Sequence, residues 1–227
     1  MFTPYDWQEG IGHRAQYIQG KLSQGSPVLA VSLEAGILVF TYRRQARKIY
    51  EIYDRLIFAG IGQQSDVEAV RVAALEFASK EGFSRSEEDV TIQRVATAMS
   101  GPMKKAFSDF SSSPVVARSL FAEVGETPGE DLYYVIDYDG DYTTSRNFAI
   151  VSGSSEGGPD GAKLLELQSS SPEDAVEALK QVWLSFADPE NTEAAEELQK
   201  GLAPEAVLLE RSNLRENRFR ILTPEGD

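Results

Sequence analysis

The chain has 227 residues, 41% hydrophobic and 10% aromatic, which predicts one domain with a sizeable core. It contains no cysteine, which excludes disulfides, thiolate zinc sites and a cysteine nucleophile, and its net charge of −14 argues against a nucleic-acid partner. With no apolar run near the roughly 20 residues of a membrane helix and no export signal, we expect a cytoplasmic protein without a membrane partner.

The first predicted element is an amphipathic helix, because Ile11, Ala15, Ile18 and Leu22 fall on one helical stripe. Strands follow as two hairpins, at residues 28–33 with 37–41 and at residues 48–52 with 56–61. The first hairpin is apolar on nearly every residue, so both of its faces are expected to be covered.

Two helices are then predicted, over residues 67–78 and 92–107. Glu87, Glu88 and Asp89 are expected in the first turn of the second helix, and Gly101-Pro102 is expected to kink or break it. Strands return at residues 118–124, 132–137 and 148–151. Ser171-Pro172 starts another helix, acidic residues 188–197 suggest a further outer helix, and strands at 206–211 and 218–222 close the chain.

Helices that arrive in pairs between strand hairpins do not suit a parallel sheet with single crossovers. They suit two antiparallel sheets stacked face to face, with a helix pair on each outer side. We therefore predict an α+β fold, a four-layer αββα sandwich, in a single domain over residues 1–227.

No self-contained catalytic or cofactor motif is present. Residues 153–157 fit G-x-S-x-G, but the triad needs a histidine after the serine, and the only histidine is His13. Asp139-Gly140 is a hairpin turn rather than part of a calcium loop, and no phosphate-binding loop occurs. We predict no metal and no cofactor. Four bases within residues 43–48 remain without a role.

Residues 26–38 (SPVLAVSLEAGIL) and 47–55 (RKIYEIYDR) resemble the opening strands of proteasome α subunits, most closely the bacterial, actinobacterial type. The likeness continues through Phe58-Ala59-Gly60 and residues 82–86 and covers about residues 4–186. It implies the N-terminal-nucleophile hydrolase fold, the same four-layer sandwich. It also implies a gating tail at residues 1–9 and an α-type N-terminal helix at residues 10–24.

Catalytic β subunits of the same superfamily use an N-terminal threonine, an aspartate and a lysine. The resemblance places Ser26, Tyr42 and Lys48 at those positions, so only the lysine is kept, and it implies a non-catalytic subunit. Two alternatives stay open: a self-compartmentalising hydrolase matured by cleavage before Ser26, and a ring-forming scaffold without a β partner.

The resemblance also implies a role for particular residues. Lys48, with Gly25 and Ile61, is expected to line a pocket between neighbouring subunits that receives the C-terminal carboxylate of an activator. Two further sets are a gate (Tyr5, Asp6, Trp7) and a pore loop (Ser113, Pro114, Val115).

The function implied is that of an outer ring of seven identical subunits. The ring would gate entry of unfolded, tagged proteins to rings of catalytic β subunits. It would dock a hexameric AAA+ ATPase through the C-terminal tails of that ATPase.

Overall fold

The computed structural model describes residues 4–153, 161–187, 195–212 and 218–222. Within these ranges ten strands form two sheets: β1 (Val28–Leu33), β2 (Gly36–Arg43), β3 (Ile49–Tyr53), β4 (Leu56–Gly62), β5 (Ala117–Glu123), β6 (Leu132–Ile136), β7 (Tyr142–Ser145), β8 (Phe148–Val151), β9 (Ala203–Glu210) and β10 (Phe219–Ile221). The first sheet has the order β10-β9-β2-β1-β8 and the second β3-β4-β5-β6-β7, and all paired strands are antiparallel.

The helices of the described ranges are α1 (Pro4–Leu22), α2 (Gln64–Ser84), α3 (Ile92–Ser108), α4 (Gly161–Leu165), α5 (Pro172–Ala187) and α6 (Ala195–Leu198). In this part of the chain, no helix is both long and apolar enough to cross a membrane.

Three apolar clusters show how these elements are layered. One fills the space between the two sheets, a second joins α2 and α3 to the outer face of the second sheet, and a third joins α4 and α5 to the outer face of the first. This confirms the predicted four-layer αββα sandwich. β1 and β2 are buried almost throughout, as expected for strands covered on both faces.

One end of the sandwich, beside the β1–β2 turn, is closed by a buried ion pair. The guanidinium of Arg211 donates to both oxygens of Asp131, at 2.6 and 2.9 Å, and to the carbonyl oxygens of Leu33 and Gly125. Asp131 is fully buried and also accepts the Gly125 amide, so its charge and that of Arg211 neutralise each other.

The second helical region differs from the prediction in two ways. Glu87–Asp89 forms a separate 3-10 turn, and α3 begins at Ile92, because the carboxylate of Glu123 on β5 accepts the Ile92 amide at 2.9 Å. Of the kink or break predicted at Gly101-Pro102, the break is wrong, since α3 runs unbroken through Pro102, and the kink stays a prediction. Met99 and Met103, on either side of Pro102, are buried against the second sheet and offset the hydrogen bond that proline removes.

The first helix starts earlier than predicted, at Pro4 instead of residue 10. Proline suits the first turn of a helix, and Trp7 packs edge-on against Phe110, with ring centroids 4.9 Å apart. The stripe predicted from the sequence is confirmed, with Ile18 and Leu22 fully buried. The hairpin turn predicted at Asp139-Gly140 is confirmed, since it joins β6 to β7, although the bounds of β7 were not predicted. Most of residues 153–157 and of the acidic segment 188–197 lies outside the described residues.

Candidate functional site

At the end opposite the Arg211–Asp131 pair, a cleft of about 1110 Å³ opens between the two sheets. Its walls come from seven stretches of the chain: the residues after α1, the β2–β3 connection, the end of β4, the first turns of α2, the residues after β8, the end of α5 and the residues before β9. Gly25, Lys48 and Ile61, for which the resemblance implies a pocket between subunits, all line this cleft of the single chain. Ser26 and Tyr42, the other two residues compared with the catalytic subunits, line it as well.

The Lys48 side chain reaches into the cleft from the start of β3. Its amine donates a hydrogen bond to the carbonyl oxygen of Ser26 at 3.0 Å. Among the described residues it has no carboxylate within ion-pair distance. Burial lowers the pKa of the Lys48 amine to about 8, the negative charge of Glu205 opposes this, and Arg44 adds to it. The amine therefore stays mainly charged at neutral pH while lacking an anionic partner.

Glu205 on β9 fixes the backbone beside this lysine. Its carboxylate accepts the amide of Lys48 at 2.9 Å and the amide of Ile49 at 3.3 Å. The side chain is almost fully buried, and burial raises its pKa. Because β9 belongs to the first sheet and β3 to the second, Glu205 holds the connection between the sheets in one position.

Gly25 allows the floor of the cleft to form. A Cβ atom on Gly25 would lie 3.0 Å from the Leu22 carbonyl oxygen and 3.2 Å from the Ile61 Cβ, so a larger residue would push the end of α1 away from β4. Gly25 thus lets Ile61 and Lys48 share one surface.

The wall formed by the first sheet and α5 is aromatic. The rings of Tyr42 and Trp183 lie 4.5 Å apart, and the Trp183 indole donates to the carbonyl oxygen of Pro27 at 3.1 Å. Phe186 and Leu202 continue this wall. The cleft therefore sets an apolar surface opposite a cationic one, an arrangement that can bind a peptide carrying both apolar and anionic groups.

The positions compared with catalytic residues do not form a catalytic arrangement. The Ser26 hydroxyl lies 3.4 Å from the Thr41 hydroxyl, and the Tyr42 hydroxyl accepts a hydrogen bond from Gln199 at 2.9 Å. Burial raises the pKa of Tyr42, so this residue stays protonated and cannot replace an aspartate. Within the described ranges, His, Asp and Glu residues do not gather in threes as a metal site would need.

The three gate residues lie in the first turns of α1 rather than in a separate tail. Tyr5 is 83% exposed, whereas Trp7 is 45% exposed and contacts Phe110. The structure does not bring Tyr5, Asp6 or Trp7 to the cleft, and their role as a gate stays a prediction.

The pore-loop residues Ser113, Pro114 and Val115 connect α3 to β5, also away from the cleft. The loop is anchored at both ends: the Val116 amide donates to Asp66 at 2.8 Å, and Arg14 of α1 donates to the Ser112 carbonyl oxygen at 2.9 Å. α1 and this loop therefore form one surface. The role of the loop in a pore stays a prediction.

Two residues of the site, Glu205 and Trp183, were missed from the sequence. Both act across more than 150 positions, Glu205 on Lys48 and Trp183 on Pro27. The available signal was a single acid inside the apolar run that became β9, where Glu205 pairs in register with Thr41. A buried acid in a strand needs partners, and the nearest unexplained cations were those of residues 43–48.

Comparison with known proteins agrees with this geometry. The family model described as proteasome subunit matches residues 20–193. A proteasome subunit alpha from Thermobifida fusca is 33% identical over 145 residues, covering 63% of this chain and 58% of the relative. One from Frankia casuarinae is 29% identical, covering 69% and 67%, and one from a Nocardioides species is 26% identical, covering 93% and 81%. The first match thus spans less than two thirds of its relative. The chain belongs to the proteasome subunit family, and within that family it is similar to bacterial α subunits.

Proposed function

We propose that this protein is the non-catalytic α subunit of a bacterial proteasome core particle. Seven copies form an outer ring that stacks on rings of catalytic β subunits and admits unfolded, tagged proteins. A hexameric AAA+ ATPase docks on the ring and drives substrates through it. The α-subunit names of the relatives support this role.

The observation that carries the docking proposal is the charged Lys48 amine. It lies in a wide cleft, and among the described residues a carbonyl oxygen is its one hydrogen-bond partner. A charged amine in a partly buried site gains most from a carboxylate, because the attraction between opposite charges adds to the hydrogen bond that a neutral carbonyl oxygen also accepts. A C-terminal carboxylate satisfies this need. Gly25 and Ile61 line the same cleft, so they contribute to the pocket floor.

The gate and the pore loop follow from the surface that α1 forms with residues 109–116. Tyr5, Asp6 and Trp7 would control access at the ring axis, and Ser113, Pro114 and Val115 would narrow the opening. The contacts of Trp7 with Phe110 and of Arg14 with Ser112 support this proposal, because they place the two elements side by side.

The test is docking of the ATPase to the assembled core particle with Lys48→Ala. Docking should weaken more than tenfold, in the range expected for loss of one charge-assisted contact. Lys80→Ala, an exposed lysine near the C-terminal end of α2, is the matched control and should dock normally. An ATPase lacking its last residues should show no difference between the variants. Unchanged docking of Lys48→Ala would remove the pocket from the proposal.

The alternative of a hydrolase matured before Ser26 has one observation in its favour, because Ser26, Tyr42 and Lys48 line the same cleft. The Lys48 amine, however, contacts the Ser26 carbonyl rather than its hydroxyl, and no aspartate stands at Tyr42. N-terminal sequencing of the purified protein decides between the two. A chain that begins at Ser26 and cleaves peptides by itself would replace our proposal.

A further inference from the structure

The mouth of the cleft carries more positive charge than the described carboxylates around it can neutralise. Arg44, Arg47 and Lys48 line it, and Arg43 precedes them at the end of β2. This is a local exception in a chain with a net charge of −14. A concentration of one sign of charge in a concave site attracts ligands of the opposite sign.

The nearby carboxylates are already engaged. Glu205 accepts two backbone amides and has the Nε atoms of Arg43 and Arg47 at 3.8 and 3.7 Å, so one negative charge is shared between two guanidinium groups. Glu68 lines the opposite wall but makes two hydrogen bonds to Arg71, at 2.5 and 2.8 Å.

Two cations of the lining are left without an anionic partner among the described residues, Lys48 and the exposed Arg44. Their mutual repulsion is unfavourable while the cleft is empty, and Arg44 contributes to the lowered pKa of Lys48. One carboxylate at Lys48 leaves the charge of Arg44 uncompensated. A ligand with two anionic groups relieves the repulsion and satisfies both cations.

We propose that the cleft recognises two carboxylates of one peptide: its C-terminal carboxylate at Lys48, and the side chain of an aspartate or glutamate a few residues upstream at Arg44. This rests on the proposed function, because it specifies the tail that docks there. The apolar wall of Trp183, Phe186 and Leu202 takes the uncharged residues of the same peptide.

The test uses the full-length chain and acetylated octapeptides of alanine that end in leucine. In a series of four peptides, one glutamate occupies the second, third, fourth or fifth position from the C-terminus. Each peptide is compared with the same peptide carrying glutamine instead, and with the same peptide ending in an amide. Affinities are measured by calorimetry at low ionic strength, where an exposed pair is least screened. At one position or more, glutamate should bind about threefold to fivefold more tightly than glutamine, as an exposed ion pair allows.

Arg44→Gln should abolish the preference for glutamate and leave the preference for a free C-terminus unchanged. Arg85→Gln, an arginine beyond the far end of α2, is the matched control and should keep both preferences. The proposal is overturned if no position favours glutamate, or if the preference survives Arg44→Gln, while a retained preference for the free C-terminus leaves the proposed function standing. If amides bind as tightly as free acids, the docking function itself fails, and this inference with it.

Discussion

The two ends of the sandwich each place a buried carboxylate beside arginines, and they differ in how completely the charges are paired. Asp131 is contacted by both Nη atoms of Arg211 within 2.9 Å. The Nε atoms of Arg43 and Arg47 lie 3.8 and 3.7 Å from Glu205, beyond hydrogen-bond distance. The Glu205 carboxylate instead accepts hydrogen bonds from two backbone amides.

This difference separates a structural role from a binding role. At the closed end, the ion pair and its carbonyl partners connect β1, the end of β9 and the loop before β6, and the charges of Arg211 and Asp131 are both engaged. At the open end, the carboxylate orders the backbone, and the cations beside it keep their capacity to bind an anion. Within the described residues, the cations without an anionic partner beside these two carboxylates, Lys48 and Arg44, thus lie on the wide cleft.

The largest expected effect comes from breaking the closed end. Arg211→Met leaves Asp131 buried and charged without its partner, so the free energy of unfolding should fall by about 3–5 kcal/mol. Denaturant unfolding followed by circular dichroism measures this. Arg220→Met removes a half-exposed pair with Glu210 and should cost less than about 1 kcal/mol. Equal losses of unfolding free energy in the two variants would contradict the special role of the buried Arg211–Asp131 pair.

Glu205→Gln should have a smaller effect on stability and a specific effect on the site. The amides of Lys48 and Ile49 lose a charged acceptor, which should cost about 1–3 kcal/mol. The negative charge of Glu205 raises the pKa of Lys48, so its loss should move that pKa below about 8. Heteronuclear NMR titration of labelled lysine measures the shift. Glu210→Gln, at the other end of β9, is the control and should leave the Lys48 pKa unchanged. An unaltered Lys48 pKa in Glu205→Gln would contradict the effect of the Glu205 charge on Lys48.

Docking and stability should respond to pH in opposite directions. The pKa of Lys48 is about 8 in the folded chain and 10.5 ordinarily, so between these values the unfolded chain binds more protons at this residue. The contribution of Lys48 therefore makes the fold more stable as pH rises from 8 to 10.5, while loss of its charge weakens docking over pH 7 to 9. Lys48→Met should remove the rise in stability between pH 8 and 10.5 that comes from this residue. The same variant should no longer dock the ATPase. A docking profile flat through pH 9 in the wild type would contradict the account.

The smallest effect is expected at the first turns of α1, which neither buried carboxylate reaches. Trp7→Ala removes the edge contact with Phe110 and should destabilise these turns by about 1 kcal/mol or less. Hydrogen exchange of the amides of residues 8–12 should then become several-fold faster. Tyr5→Ala is the control because Tyr5 is 83% exposed. Equally faster hydrogen exchange in both variants would show that the Trp7 contact does not stabilise these turns.

Local patterns predicted most of the fold. The apolar run of β1 and the four residues of β8 have the predicted bounds, and the stripe ending at Leu22 identified the buried face of α1. The prediction fails where residues distant in the sequence determine the bounds or the continuity of a helix. Glu123 sets the start of α3, and burial of methionines on either side of Pro102 keeps the helix continuous.

The site was predictable only in part for the same reason. Lys48 lies in the stretch 47–55 whose resemblance located it, and Ile61 was matched separately, at the end of a predicted strand. Nothing local shows that Glu205 holds the amides of Lys48 and Ile49 or that Trp183 forms the facing wall. The Glu205 contacts form only when the two sheets stack, and the Trp183 contact only when α5 packs on the first sheet.

The most direct test of the central claim is the native mass of the full-length chain, measured alone and with a catalytic β subunit of the same organism. Our account predicts a ring of seven 25.0 kDa chains, about 175 kDa or twice that, either alone or as part of a larger particle once the β subunit is present. A ring that never binds the β subunit would favour the scaffold alternative. A species that stays at 25.0 kDa under both conditions would contradict the account.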